Sequence, residues 1–203
     1  MNQSDIPLIL ASQSPRRKML LEQSGFQFTI HAPEDSVEKQ AKAKTPEQFV
    51  VEAATLKAYA VAQEITTLDR AILVAADTVA ECEGQILGKP KDRDDAERML
   101  KFVSGKVHRV LTGVCLKLHP NGPHLAKLEA TLLRMDPLSK SMLDKILKSN
   151  LWVGKAGAFG YQDGLDWVHI ESGLASNVVG LPVERMVGWI DELSALTHEQ
   201  KLD

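Results

Sequence analysis

Polar residues stand at element ends or on otherwise apolar faces in six places: Arg16 with Arg17, Glu38, Lys57, Asp77, Lys89, and Lys155 with Gln162. They supply several cations and at least two carboxylates, the inventory of a metal–polyphosphate site. Cations neutralise phosphate oxygens, and carboxylates hold a hard divalent ion that keeps several waters and bridges phosphates. One carboxylate can also orient or deprotonate an attacking water. Other hydrolytic chemistries lack their parts. There is no Ser-His-Asp motif, the six histidines form no HExxH, and the two cysteines, Cys82 and Cys115, are isolated from each other and from metal-type spacing. Gly84 and Gly88 are separated by three residues, one fewer than a Walker A loop needs, and Pro90 stands where that loop needs Ser or Thr. Gly88-Lys89-Pro90 is therefore not a P-loop, and Lys89 is left as a simple phosphate contact.

Each of these side chains needs an element to position it. Leu8–Ala11 is a short apolar run suited to a buried strand. Ser14-Pro15 reads as a helix start, with Ser14 at the N-cap and Pro15 at the first helical position, and the helix should end at Gly25. Arg16 and Arg17 then fall in the first turn, where cations oppose the helix macrodipole. An anion between the guanidinium groups and the free amides would remove the conflict and make a phosphate cradle; two solvated surface arginines are the alternative. Phe26–His31 is a weak strand, and Ala32–Lys44 a polar loop carrying Glu34, Asp35 and Glu38. Thr45-Pro46-Glu47-Gln48 opens the next helix as a capping box. Its apolar stripe runs Val50, Ala54, Lys57, Val61, which puts Lys57 on the buried face. A lysine there is costly unless partnered, so it either snorkels outward or meets a phosphate.

Ala71–Ala76 is the best buried strand and ends in Asp77-Thr78. A carboxylate at the C-terminal end of a buried strand is where open α/β sheets place ligand chemistry; an Asp capping a turn is the alternative. Val79–Glu83 continues as strand and Gln85–Leu87 returns. Asp92–Val103 is an amphipathic helix, and Lys106–Leu118 and His124–Met135 form an antiparallel hairpin with Gly113 as a bulge or bend. A helix after Ser139 turns Met142, Leu143, Ile146 and Leu147 inward. Gly154–Gly164 holds four glycines, so backbone can approach a ligand closely, with Lys155 and Gln162 projecting from it. Trp167–Glu171 and Ser176–Leu181 read as strands, and Pro182 starts a last helix with Val183, Met186, Val187 and Ile190 on its core face.

The totals bound the class. At 203 residues the chain is a single domain, 1–203, able to bury a real core. A net charge of −3 argues against a protein whose main task is gripping a nucleic-acid backbone, so no stable nucleic-acid partner is expected. It does not exclude an anionic small molecule held by a local basic cluster. The start MNQSDIP shows no basic run before an apolar core, and no apolar stretch approaches the roughly 20 residues of a membrane helix. With two unpaired cysteines this points to a cytoplasmic protein without a membrane partner.

Read as ordered blocks, the chain resembles the Maf family of nucleoside triphosphate pyrophosphatases. The blocks are LASQSPRRKMLL at 10–21, Lys57 within LKA, AADT at 75–78, LGKP at 87–90, Met99-Leu100 with Ser104-Gly105 and His108, TGV at 112–114, KAGAFGYQ at 155–162 and NVVGLP at 177–182. The resemblance implies an α/β fold around a mixed, bent sheet with flanking helices, in two lobes with a nucleotide cleft between them, shared with the Ham1-type inosine triphosphate pyrophosphatases. It implies cleavage between the α and β phosphates to a monophosphate and pyrophosphate, a divalent cation (Mg²⁺ or Mn²⁺), and often a homodimer. By motif position Asp77 would be the catalytic base. Ser14, Arg16, Arg17, Lys57, Lys89 and Lys155 would contact substrate phosphates, and Glu38 would join Asp77 on the metal, with Glu34 or Asp35 as alternatives in a loosely matching loop. Arg16, Thr78 and the Lys155…Gln162 pair resemble members acting on dTTP and UTP, whereas the SPWRR, SDQ and CAG of the 7-methyl-GTP branch are absent. A Gln side chain offers both a donor and an acceptor, as the imide edge of uracil or thymine requires. Two departures stand in this block: Tyr161 replaces a small aliphatic residue, and Asp163 separates Gln162 from Gly164. A nucleotide- or nucleic-acid-binding regulator of cell division without turnover, the same reaction on another base, and a different phosphohydrolase are the competing readings.

Overall fold

A computed structural model describes residues 6–34, 37–66 and 70–199. The elements run β1 (Leu8–Leu10), α1 (Pro15–Gln23), β2 (Phe28–Ile30), α2 (Pro46–Glu64), β3 (Ala71–Cys82), β4 (Gln85–Leu87), α3 (Arg93–Val103), β5 (Val107–His119), β6 (His124–Met135), α4 (Lys140–Ser149), β7 (Val168–Ser172), α5 (Ala175–Val179) and α6 (Val183–Glu199). One mixed seven-stranded sheet has the order β2-β1-β3-β5-β6-β7, with β4 also on β3.

Alternation along β3 assigns its neighbours. Ala71, Leu73 and Ala75 pack against Ala54, Ala58 and Val61 of α2. The intervening Ile72, Val74 and Ala76 pack against Met186, Ile190 and Leu193 of α6. The period of two along a strand therefore divides α2 from α6 across the sheet. At the other end of the sheet, α3 and α4 supply Met99, Leu100, Leu143 and Leu147 to a core that includes Trp152, Phe159 and Trp167.

The edges of β3 create the opening that matters for function. β5 pairs with β3 along Ala71–Glu81. The opposite edge is shared: β1 takes Ile72–Val74 in parallel, and β4 takes Ala80–Cys82 antiparallel. Between these partners the edge around Asp77 is unpaired, just past the carboxyl end of β1, where the chain turns away through Ala11–Ser14 into α1.

Several expectations are corrected. Asp77 lies in mid-strand, because β3 continues through it to Cys82. Gly113 makes no bulge: it pairs regularly with Asp77 on one side and Leu128 on the other. A Cβ there would stand 2.1 Å from the Val50 carbonyl oxygen, so glycine is required for α2 to lie this close to β5. Ser176–Leu181 contains helix α5 in place of a strand. On α6 the buried stripe is Met186, Ile190 and Leu193, while Val187 is exposed. Thr45 caps α2 as expected, its hydroxyl accepting from the Gln48 amide at 3.2 Å. Ser14 occupies the N-cap of α1 without a side-chain cap; its own amide donates to Ser12 Oγ.

Candidate active site

A cleft of about 680 Å³ opens at the unpaired edge of β3, lined by the β1–α1 turn, β3, the Gly88-Lys89 segment and the Gly154–Gln162 loop. It brings together Ser14, Arg16, Arg17, Glu38, Lys57, Asp77, Thr78, Lys89, Lys155 and Gln162. Every sequence-predicted site residue thus reaches one cavity. Glu34 lines it as well; Asp35 lies outside the described residues.

Asp77 and Thr78 project to opposite faces of the sheet. On the α2 face, Lys57 Nζ stands 2.6 Å from Asp77 Oδ1 and 2.5 Å from Glu38 Oε2. The Lys57 and Asp77 side chains are 12% and 14% exposed and that of Glu38 36%, so the triad is shielded more than a surface ion pair. The Lys57 ammonium does not snorkel outward: two carboxylates converge on it, partners that the sequence reading did not name. The partners are supplied by the 3₁₀ turn Val37–Gln40 and by β3, both distant in sequence.

On the other face Thr78 joins a network without carboxylates. Its hydroxyl meets Thr112 Oγ1 at 3.0 Å and accepts from Arg17 Nη2 at 3.2 Å. Arg17 also donates from Nε to the Gly180 carbonyl at 2.9 Å and from Nη1 to Ser12 Oγ at 3.1 Å. Three of its five N–H groups therefore tie α1 to β3 and to the α5–α6 corner, leaving one on each terminal nitrogen for a ligand. Burial pulls the Arg17 guanidinium below its ordinary value, with the Asp77 carboxylate opposing; Arg16 adds to the drop and Glu38 opposes it. It remains charged at any physiological pH. The network continues from Thr112, which donates to the Asn177 carbonyl at 3.2 Å, to the Asn177 amide, which donates to the Val110 carbonyl and Thr131 Oγ1. Ser12, Thr112, Thr131 and Asn177 carry no role in the sequence reading. The signal at Thr112 and Thr131 was a small polar residue inside a strand, which a buried hydrogen-bond network requires, whereas Ser12 in the β1–α1 turn and Asn177 in α5 gave none.

The cleft rim holds the remaining cations. Arg16 reaches across to the Gly154 carbonyl at 3.2 Å. Lys89 makes no hydrogen bond or ion pair with a described residue and faces the cavity. Lys155 contacts the Asp163 carboxylate directly. The first amides of α1 lack intrahelical acceptors by the geometry of any helix start, and they open on the same space.

The oxygen donors of this face suit a hard divalent cation. Asp77 Oδ1 and Glu38 Oε2, which both touch the Lys57 ammonium, place two hard oxygen donors side by side in the cleft. Among the described residues no group of three or more His, Cys, Asp or Glu gathers. A hard ion held here would complete its shell with water and phosphate oxygens, as Mg²⁺ does.

A model of the Maf-like protein family matches residues 7–193. The dTTP/UTP pyrophosphatase of Rhodopirellula baltica is 45% identical over 181 residues, covering 88% of this chain and 78% of that protein. That of Ruminiclostridium cellulolyticum is 37% identical over 189 residues, covering 92% and 96%. The dTTP/UTP pyrophosphatase of Pyrococcus abyssi is 36% identical over 182 residues, covering 89% and 92%.

Proposed function

This chain belongs to the Maf-like protein family, and from that membership we propose that it is a dTTP/UTP pyrophosphatase. The reaction is nucleoside triphosphate plus water to nucleoside monophosphate plus pyrophosphate. The observation that carries the proposal is the cleft shared by a carboxylate–ammonium–carboxylate triad, Lys89 and Gln162, the last two without a hydrogen bond or ion pair to any described residue. The names of the relatives, all dTTP/UTP pyrophosphatases, support the substrate.

In this reading Asp77 accepts the proton of the attacking water or orients it. Arg16, Lys89, Lys155 and the α1 amides hold the phosphate oxygens, with the two remaining N–H groups of Arg17 behind them. Glu38 and Asp77 would hold Mg²⁺ or Mn²⁺, which when bound supplies charge stabilisation at the phosphate oxygens. Lys57 keeps the two carboxylates together and lies within reach of the same space. Gln162 pairs with the imide edge of uracil or thymine. Thr78 shapes the wall opposite Asp77, fixed by Arg17 and Thr112. The cores on either side of the cleft act as two lobes of one domain. No described helix is long and apolar enough to cross a membrane, and the buried thiols of Cys82 and Cys115 suit a reducing cytoplasm.

Pyrophosphate release with Mg²⁺ or Mn²⁺ across dTTP, UTP, CTP, GTP, 7-methyl-GTP and ATP tests the proposal. Release from dTTP and UTP above the others is expected. Release from another base alone overturns the role of Gln162. Orthophosphate without pyrophosphate overturns the α–β cut, and binding without any product marks a nucleotide-binding regulator.

A further inference from the structure

The loop that carries Gln162 is closed by a charge pair of which the reaction as described uses only one member, Lys155. Lys155 and Asp163 are in direct contact, eight residues apart, with side chains only 11% and 16% exposed. Gly160 lies against both: a Cβ there would stand 2.7 Å from Asp163 Oδ2 and from Lys155 Nζ. The pair thus fills the space a side chain would occupy, and glycine makes the closure possible.

The two halves of this loop are fastened differently. In the first half the Gly157 amide donates to the Gly88 carbonyl at 3.1 Å, and Phe159 packs edge-on against His108 and Trp167 at centroid separations of 5.4 and 6.3 Å. In the second half, the 3₁₀ turn Tyr161–Asp163, Tyr161 rests on the core and the Asp163 amide bonds back to the Gly160 carbonyl. The Lys155–Asp163 pair is what ties this turn across to the start of the loop. Gln162 rides on the turn, lines the cleft and makes no hydrogen bond with a described residue. A free amide can discriminate bases only if its backbone is held to within a fraction of an ångström, since donor and acceptor must both align.

We propose that Asp163 is a positioning residue for base selection: by holding Lys155 across the loop it fixes the turn that presents Gln162 to the nucleobase. The inference rests on the reading of the cleft as a nucleoside triphosphate site. Asp163 also acts on Arg16, whose guanidinium burial pulls down and the Asp163 charge pushes back up. One carboxylate therefore steadies both the cation that closes the loop and a cation of the α1 N-terminus.

The test is equilibrium binding of α,β-imido-dUTP and α,β-imido-dCTP, which resist cleavage at the α–β position, to wild type, D163N, D163E, Q162A and Q162A/D163N. Melting temperatures are recorded for each. Wild type is expected to prefer the uracil analogue, and D163N to lose roughly tenfold of that preference, the scale on which a misaligned polar reader loses discrimination. D163E should restore part of it. In the Q162A background D163N should leave the ratio where Q162A put it, because coupled residues are non-additive. Equal weakening of both analogues in D163N, an unchanged ratio, or an additive further loss in Q162A/D163N overturns the proposal, whatever the melting temperatures do. Wild type that binds both analogues equally also overturns it while leaving the pyrophosphatase reaction standing. Selective binding with no pyrophosphate release fails the reaction and leaves this inference intact.

Discussion

Asp77 and Thr78 are consecutive, yet the two faces of the sheet surround them with opposite chemistry. The α2 face holds an ammonium between two carboxylates, a cluster whose members can exchange a protein cation for a ligand. The α5 face holds Thr78 in a carboxylate-free network of hydroxyls, the Arg17 guanidinium and main-chain carbonyls that are already bonded to one another. Strand alternation alone produces the separation. The difference teaches which groups can take part in a reaction: the carboxylate-bearing face can release its interactions to a substrate, whereas the interlocked α5 face is the fixed wall against which they are placed.

The largest effect should come from removing the Asp77 carboxylate on the α2 face. Asp77→Asn keeps the shape and the Lys57 contact while abolishing the acceptor, and turnover is expected to fall roughly 10²–10⁴-fold, the range for loss of a general base. The melting temperature should move little. Pyrophosphate release at saturating dTTP measures it, and a rate near that of wild type would remove Asp77 from the chemistry. Next is the contact that sets the depth of the same face. In Gly113→Ala the new Cβ would meet the Val50 carbonyl at 2.1 Å, so α2 must move and Lys57 with it. Overpacking of this kind costs about 1–3 kcal/mol, a fall of roughly 2–12 °C for a chain of this size, together with a large loss of rate. Calorimetry showing no change would mean that the close approach of α2 is not needed.

A smaller effect tests whether the two carboxylates are a cation site. Lys57→Met leaves Glu38 and Asp77 facing each other unneutralised and half-shielded. A cost of about 1–2 kcal/mol is expected in metal-free buffer, below the 3–5 kcal/mol of a fully buried pair because Glu38 remains open to water. Mn²⁺ without nucleotide should then raise the melting temperature of the variant more than that of wild type, since a ligand that binds only the folded state stabilises it. Destabilisation with no greater rescue by Mn²⁺ would separate the carboxylates from metal binding.

Local signals carried much of this into the sequence. The Ser-Pro start of α1, the capping box of α2, the unbroken apolar run of β3 and the long β5–β6 hairpin depend on neighbours a few residues away, and propensity describes them well. The partners of Lys57 and Arg17 were not legible, because Glu38, Asp77, Gly180 and Thr78 meet them only through the sheet topology. The same reason explains the misread Ser176–Leu181. Val178 and Val179 favour a strand, but the Asn177 amide is buried against the Val110 carbonyl and Thr131, and a single helical turn is what delivers it there. Gly113 in the sequence points to a bulge or bend; that it instead admits the backbone of α2 depends on where α2 packs. The candidate site was legible as an inventory, since residue types survive without coordinates, whereas the division of that inventory between an exchangeable face and a fixed wall required the fold.

The smallest effect should come from the fixed wall. Thr112→Val keeps the volume of the side chain and deletes a hydroxyl that is fully buried and joins Thr78 Oγ1 to the Asn177 carbonyl. The Asn177 carbonyl then keeps only the Gly180 amide as a donor and Thr78 loses one partner, a cost of about 1–2 kcal/mol, or a fall of roughly 2–8 °C. The rate should fall less than tenfold, because Arg17 still holds Thr78 from the other side and no group on the α2 face is touched. Measured beside Lys57→Met, the two variants should have similar stabilities and clearly different rates. If instead Thr112→Val lost as much rate as Lys57→Met, the α5 face would be part of the reacting machinery, and the contrast between a working face and a supporting one would fail.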